Sequence, residues 1–425
     1  ARSWARLGNV LRHLKRYPEA LKAYDEATTI EANYAWAWNE KGITYEALGR
    51  YDEALKAYKR ASDSDPKDAY YIYQQADMLV VLGDYGSALE LLERALKLDN
   101  KNARTWAKYG QMLRRLRRLP DALRAYTLAV ELDPAYAWAW NGLGMVQGSL
   151  NQHEEALQAF RRATELDRTD IWYWYNQGDA LVSLNRFHEA ADVLEHTVRL
   201  NPNHAESWAK LGQAFRRLDR QEDALAAYDH ALAINSDYAW AWNGRGLALE
   251  ALGKREEALV SYERALKQDN SIIWYYTNQI DLLLEMGRKS EALKVLDAAL
   301  AMLPDNSTAW ARRGQVQRRL SDYAGAVESY QRALEIDPTY AWAWNGQGLA
   351  YAALNRYDEA LTCYEQAVHY NPNDVWFWHN YGDAWLMFDN CERAAETFRR
   401  ALEIEPNHEA TLRKLKLAQD CAEDE

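Results

Sequence analysis

The sequence predicts an all-α solenoid of stacked helix pairs, and three observations carry that prediction. A period of 34 residues runs from Ala1 to His408 without an insertion. Each period holds two apolar stripes of helical spacing with a short break between them. A longer period of 102 residues repeats whole segments: Tyr136-Ala137-Trp138-Ala139-Trp140-Asn141-Gly142 returns at positions 238–244 and 340–346, and six of its residues stand at 34–39. Self-similarity at roughly 20 to 50 residues marks units that bury their apolar faces only against their neighbours.

In the first unit the apolar residues Trp4, Leu7, Leu11 and Leu14 form one helical stripe, and Ala20, Tyr24, Ala27 and Ile30 form a second. Tyr17-Pro18 lies between them, where a turn and a new helix start are expected. The next unit usually opens after Asp-Pro or Asn-Pro, as at Asp65-Pro66, Asp133-Pro134, Asn201-Pro202, Asp337-Pro338 and Asn371-Pro372. Twelve units follow: 1–34, 35–68, 69–102, 103–136, 137–170, 171–204, 205–238, 239–272, 273–306, 307–340, 341–374 and 375–408. Residues 409–425 place Leu412, Leu415 and Ala418 on one face, which predicts a closing helix over the last unit and an acidic tail.

The fourth unit sets Trp106, Tyr109, Gly110, Leu113, Ala122, Tyr126, Ala129 and Pro134 at repeat positions 4, 7, 8, 11, 20, 24, 27 and 32. This pattern resembles the tetratricopeptide repeat family, and all twelve units keep its register. Some residues depart from it: Ile72 and Leu92 at the two aromatic positions of the third unit, Lys41 where Leu is usual, and Ile280 in place of a small residue. The resemblance implies a right-handed superhelix in which the first helix of each unit lines a concave groove. It also implies recognition of another polypeptide.

Composition narrows the function classes. The balance of 51 Lys and Arg against 63 Asp and Glu, net −12, argues against sequence-blind binding to nucleic acid or anionic membranes. No apolar run approaches the length of a membrane span, and no secretory leader is present. Cys363, Cys391 and Cys421 have neither metal nor redox-motif spacing and suggest no disulfide framework, which predicts a reducing, cytoplasmic compartment. The chain opens on Ala1 inside a repeat, which predicts a segment of a longer polypeptide.

The units alternate in three classes, four times over. Positions 4, 7, 8 and 11 of the first helix are assigned to the core, so helical spacing puts positions 2, 5, 6, 9, 12 and 13 on the open stripe. Ten Trp occupy position 4, where a bulky core residue suffices. Seven more sit at position 2: Trp36, Trp138, Trp240 and Trp342 in the second class, and Trp172, Trp274 and Trp376 in the third. An open row of Trp is apolar surface that soluble proteins avoid unless it meets something, so these indoles are expected to form a stacking or docking surface.

Amides accompany them: Asn39, Asn141, Asn243 and Asn345 at position 5, and Gln74, Asn176, Asn278 and Asn380 at position 6. Asn is a poor helix former, and its amide can donate to and accept from a peptide backbone. The series resembles the asparagine ladder that lines the peptide groove of some members of the family, including kinesin light chains and the sugar transferase that modifies Ser and Thr. Gly142, Gly244 and Gly346 on the same stripe are expected to let a ligand approach the bare backbone. Third-class units carry Asp77, Asp179, Asp281 and Asp383 at position 9. First-class units carry Arg6, Lys108, Lys210 and Arg312 at position 6, and Arg114, Arg216 and Arg318 open arginine pairs at positions 12 and 13. These cations either pair with the aspartates of the preceding unit or hold an anionic ligand in guanidinium forks.

No Gly-rich phosphate loop, metal-spaced histidine cluster or nucleophile motif appears, so no cofactor, no metal and no catalysis are expected. His379, the one histidine of note on the groove stripe, reads as a polar contact. The leading expectation is a protein-interaction module that binds an extended or repetitive polypeptide, with four equivalent sites acting together. Two alternatives stand beside it: single-stranded nucleic acid or nucleotide binding by Trp and Arg stacking, and a self-associating scaffold.

Overall fold

The computed structural model describes residues 1–424, with side chains through Ala422. Two compact units divide the chain, Ala1–Leu218 and Asp219–Glu425. The first holds α1 (Arg2–His13), α2 (Tyr17–Ile30), α3 (Ala35–Ala47), α4 (Tyr51–Ser64), α5 (Ala69–Leu82), α6 (Tyr85–Leu98), α7 (Ala103–Arg115), α8 (Leu119–Leu132), α9 (Ala137–Ser149), α10 (His153–Leu166), α11 (Ile171–Ser183), α12 (Phe187–Leu200) and α13 (Ala205–Arg217). The second holds α14 (Gln221–Ile234), α15 (Ala239–Ala251), α16 (Arg255–Gln268), α17 (Ile273–Glu285), α18 (Lys289–Met302), α19 (Ser307–Arg319), α20 (Tyr323–Ile336), α21 (Ala341–Ala353), α22 (Tyr357–Tyr370), α23 (Val375–Met387), α24 (Cys391–Ile404) and α25 (Glu409–Asp424). Among the described residues no strand occurs, and no helix is long and apolar enough to cross a membrane.

Helices pair where a left-handed residue ends the first and lets the chain reverse. That residue recurs at position 15 of every unit, from Lys15 through Asp389; only Gly49, Gly83, Gly253 and Gly287 of the twelve have no Cβ to strain. Within each compact unit an odd helix packs on the even helix after it and on the even helix before it. Successive odd helices also touch, as α7 does α9 and α19 does α21, whereas the even helices stand farther apart. Within each unit the odd helices therefore form the inner, more tightly curved layer, and their open stripe is the inner face.

A ring on a glycine sets the spacing inside a pair. A Cβ on Gly110 would lie 2.9 Å from the Tyr126 ring, and one on Gly348 would lie 2.7 Å from Tyr364. No real Cβ comes so close, so position 8 must stay small for the position-24 ring to be buried. Where the sequence departs from the pattern, another apolar residue takes over: Ile72, Leu92 and Ile280 are all fully buried. Lys41 is buried too, by a different device. Its ammonium pairs with Asp25 at 2.5 Å and lies 4.8 Å from the Trp38 ring. Arg245 with Asp229 and Trp242, and Arg313 with Asp297 and Trp310, repeat the arrangement in the second unit.

Tryptophan at position 4 does more than fill space. Nine of these indoles donate from Nε1 to the backbone carbonyl six residues earlier, as Trp140 does to Pro134 at 3.0 Å and Trp344 to Pro338 at 2.9 Å. The bond ties each unit to the turn that precedes it and satisfies a backbone carbonyl of that turn.

The cysteines correct the sequence expectation. Cys391, buried at the start of α24, is disulfide-bonded to Cys421 near the end of α25, with Cα atoms 5.9 Å apart. The pair occupies positions 17 and 13 of adjoining units, which meet in other copies as well: Arg115 lies over the Tyr85 ring and Arg217 over Phe187. Contact between those positions comes from helix packing and leaves no spacing signature. With this bond in place, cysteine usage no longer points to a reducing compartment. α25 packs on α24 through Leu415 and the fully buried Ala418, and Glu425 lies outside the described residues.

The Trp140→Phe variant keeps the ring and loses the tether to Pro134. It should lower stability by about 1 kcal/mol in urea titrations, with faster amide exchange confined to the Asp133–Tyr136 turn.

Candidate functional site

The seven position-2 indoles divide by class. Trp36, Trp138, Trp240 and Trp342 are half-buried, so the expectation of an open row is corrected for these four. Their units are preceded by Tyr34, Tyr136, Tyr238 and Tyr340, whose rings lie 5.9 to 6.1 Å from the indoles. Tyr126, Tyr228 and Tyr330 close from the other side at 6.2 to 6.3 Å. Third-class units are preceded instead by Asp68, Asp170 and Asp374, whose carboxylates accept from the backbone N–H at position 2, and in the third copy by Ile272; none of these contributes a ring. Trp172, Trp274 and Trp376 are accordingly 51%, 70% and 52% exposed, and Tyr70 takes the same place in the first copy at 51%.

The glycines are corrected as well. Gly142, Gly244 and Gly346 are buried, and a Cβ on any of them would overlap the ring of Tyr126, Tyr228 or Tyr330. Position 6 of a second-class unit faces the preceding tyrosine, so no ligand reaches its backbone.

The amides are paired with each other. Asn176 Nδ2 donates to Asn141 Oδ1 at 2.8 Å, Asn278 to Asn243 at 2.8 Å, and Asn380 to Asn345 at 2.9 Å. Asn141, Asn243 and Asn345 are buried. Asn176, Asn278 and Asn380 are half-buried, and each is held in orientation by one N–H. The first copy lacks this bond: Gln74 stands at position 6, and the buried Asn39 Oδ1 has no partner.

Each third-class aspartate meets the cation of the next unit. Asp77 pairs with Lys108 at 2.6 Å, Asp179 with Lys210 at 2.8 Å and Asp281 with Arg312 at 3.0 Å. At the end of the array Lys414 of α25 takes the cation's place beside Asp383, at 3.0 Å. Burial raises the Asp281 carboxyl above the usual carboxylate range, against the opposing pull of Arg312. Lys108 and Arg312 also lie 5.5 and 5.6 Å from the rings of Trp138 and Trp342. Aspartate, cation and second-class indole thus form one internal chain, and these basic residues are not a free anion-binding band. Arg114 and Arg318 direct their guanidinium groups to the hydroxyls of Tyr126 and Tyr330, whose pKa values burial pushes up to about 12. Arg216 holds the corresponding place on α13.

What lies open in the second, third and fourth copies is a small constellation on one helix face: the position-2 ring, the position-6 amide held by its neighbour and the paired position-9 carboxylate. Two histidines that sequence reasoning passed over join it from the next unit. The His204 ring sits 4.8 Å from Trp172, and His408 sits 4.5 Å from Trp376. His204 caps α13 through Nδ1, which accepts from the Ser207 N–H, and Thr411 stands within hydrogen-bond distance of both His408 and His379. Only their position just before a helix start hinted at that role. His379 is buried in a polar contact, 3.9 Å from the Asp383 carboxylate.

Gly142→Ala should cost about 1 to 3 kcal/mol through its overlap with Tyr126, although alanine is the better helix former; comparison of denaturation midpoints with a Gly148→Ala control checks it. Burial lowers the pKa of His204 and His379, with Glu206 and Asp383 opposing. The unfolded chain then binds more protons below an imidazole's ordinary value near ~6.5. Stability is fully present above that pH and should fall as pH drops through the depressed folded values, a loss that denaturant titrations at pH 7.5, 6 and 5 would register.

Sequence profiles of the tetratricopeptide repeat match residues 39–103, 175–239, 277–341 and 345–409, and further ones match 1–67, 101–169 and 239–271. A search of curated protein sequences returns no match. Among solved structures, the chain is similar to the Cut9–Hcn1 hetero-tetramer of APC/C at 16% identity and TM-score 0.46, over 98% of this chain and 96% of that one. Yeast Tom70 aligns at 14% identity and TM-score 0.47, over 93% and 96%. YrrB, a protein of the same repeat described with an unusual peptide-binding site, aligns at 23% identity and TM-score 0.38, over 43% of this chain and 95% of its own. Matched along most of its length by these profiles, the chain belongs to the tetratricopeptide repeat family.

Proposed function

We propose that the protein is a non-catalytic interaction module that binds an extended polypeptide on the inner face of its odd helices. The observation that carries this reading is the unequal fate of the position-2 rings. Four are packed into the array, while Trp172, Trp274 and Trp376, with Tyr70, stand half or more exposed at the same register. Large rings held on a rigid helix make good anchors, because they bury much area and lose little entropy on binding. Beside each Trp the neighbouring Asn fixes the position-6 amide, which is then ready to bond a peptide group. One such module lies in the first compact unit, beside the Tyr70 variant of it, and two lie in the second, so weak contacts of a repetitive partner combine.

The reading of the groove as a nucleic-acid site has less support. It needs cations free for phosphates, and Lys108, Lys210 and Arg312 are paired with aspartates.

Affinity capture followed by calorimetry with the captured polypeptide tests the proposal. Trp172→Ala, Trp274→Ala and Trp376→Ala should each weaken binding by about tenfold or more, with thermal stability close to that of the parent. Trp138→Ala should instead lower stability by about 2 kcal/mol, since it opens a cavity between Tyr126 and Tyr136. A partner held equally well by the triple third-class variant would overturn the reading. So would a steep loss of affinity with salt, which belongs to nucleic acid, or loss of a dimer in place of a ligand, which belongs to self-association.

A further inference from the structure

The four copies differ at one residue that packing leaves optional. The residue before the odd helix that follows each third-class unit is Asn102 ahead of α7, His204 ahead of α13, Asn306 ahead of α19 and His408 ahead of α25. Asn and His do the same work at the helix start. Asn102 and Asn306 accept from the N–H groups of Thr105 and Ala309 at 3.1 and 2.9 Å, and His204 Nδ1 accepts from that of Ser207 at 3.3 Å. Asn is among the best caps, so capping gives no reason for His. What the imidazole adds is a ring. His204 and His408 stand almost perpendicular to Trp172 and Trp376, with ring centres 4.8 and 4.5 Å apart, and meet Tyr175 and His379 at 5.5 and 5.7 Å. The second and fourth copies thus fill with their own imidazole a place that the first and third give to an asparagine.

That place is open in the first copy. A cavity of about 550 Å³ lies there, lined by Tyr70, Tyr73, Gln74, Asn102 and Arg104 among others, within the range of about 300 to 1,000 Å³ that ligand sites occupy. Tyr70 and Tyr73 stand at the registers of Trp172 and Tyr175. The cavity therefore keeps two of the three rings of the second copy and lacks the imidazole. Its charges balance, Lys67 and Arg104 against Asp68 and Asp99, which favours a neutral ring over a charged head group. In the third copy Asn306 and Thr277 take the places of His204 and Tyr175, and Trp274 is the barest of the three indoles at 70% exposed.

We infer that the first and third copies each receive an uncharged aromatic side chain of the polypeptide partner, which meets Tyr70 or Trp274 where the other two copies place their own imidazole. The inference deepens the reading given above and rests on it for the nature of the partner. Two rings set edge to face gain more than the area they bury, so a ring is held better here than an aliphatic group of similar size. A nucleobase is flat as well, but the occupant that the chain itself supplies is a side chain carried on a polypeptide. One open place falls in each compact unit. The aromatic residues of a repetitive partner therefore engage alternate copies, which fixes its register as four equal modules cannot.

Fluorine NMR of the full chain, labelled with 3-fluorotyrosine or 5-fluorotryptophan, reads Tyr70 and Trp274 once Tyr70→Phe and Trp274→Phe have assigned their signals. The probes are acetyl-Gly-His-Gly-amide, acetyl-Gly-Tyr-Gly-amide, acetyl-Gly-Leu-Gly-amide and adenosine monophosphate, at about pH 8 so that imidazole is neutral. Both signals should shift saturably with one or both aromatic peptides, and the leucine peptide should bind at least about threefold more weakly. Asn102→His and Asn306→His, which supply the ring from within, should each abolish the shift at their own site and leave the other site unchanged. His204→Asn, the reverse exchange, should let the Trp172 signal respond. Asn and His both cap the helix, so these exchanges keep the fold, which circular dichroism checks. No saturable shift at Tyr70 or Trp274, equal affinity for the leucine peptide, tighter binding of adenosine monophosphate, or an undiminished shift in both Asn102→His and Asn306→His would overturn the inference. If Trp274→Ala weakens binding of the captured polypeptide while Asn306→His leaves the probe response intact, this inference fails and the wider reading stands. If the probes respond as expected but the triple third-class variant holds the polypeptide equally well, the wider reading fails instead.

Discussion

The contact between a position-24 ring and a position-8 glycine is the constraint on which the array depends. A helix pair of this size has too little apolar surface to stand alone, and its two helices hold together only if a large ring can lie flat against backbone. Gly110 under Tyr126 and Gly314 under Tyr330 supply that surface. The ring of such a first-class unit also meets a glycine of the second-class unit that follows, Gly142 or Gly346, so one tyrosine is clamped between two repeats. The contact that closes each pair thus also sets how successive pairs meet, which is why the period can run through the chain without an insertion.

Polar residues on the inner face are organised by the same economy. Buried or half-buried charges and amides are costly unless paired, and here they are paired across unit boundaries: Asp179 to Lys210, Asn141 to Asn176. Each pair joins helices that sequence separates by a whole repeat. A residue type suited to ligand binding, such as an asparagine in mid-helix, can therefore be explained first as a bond between neighbours. Only the side of the amide left over after that bond is available to a partner.

How far the sequence could be read follows from this. Helix pairs, their register and the closing helix were legible because they rest on local spacing, which a periodic sequence states many times. The ion pairs of Asp77, Asp179 and Asp281 with the next unit's cation were one of two readings that the charges left open. The glycines and the second-class indoles were misassigned because the open stripe was derived from one helix alone. Position 6 faces outward on an isolated helix, yet Tyr126 reaches over from the preceding repeat and covers it at Gly142. Tyr136, read as part of a repeated segment, proved to be the ring that roofs Trp138. The link between Cys391 and Cys421 had no local signal at all, since the two meet only because positions 17 and 13 of adjoining units face each other.

The period of three is the property that a packing account alone does not require. Every repeat satisfies the ring-on-glycine rule or its apolar substitute, so a period of 34 would serve for stability. Division into three classes instead assigns each repeat a different share of one arrangement. The first class brings the cation, the second brings the indole and the amide that orients its neighbour, and the third brings the carboxylate and the ring that stays exposed. No single repeat holds the whole set, so one repeat cannot change class without breaking a pair on either side. Such coupling holds the open rings to every third unit, and it spaces them more widely than adjacent repeats would. Four Trp are roofed by tyrosine while three stay bare at the same helical position. The difference lies in the residue before the helix: Tyr at the second-class starts, and Asp or, before Trp274, Ile272 at the third-class starts, so the presence or absence of a roofing ring there decides which repeats present a surface.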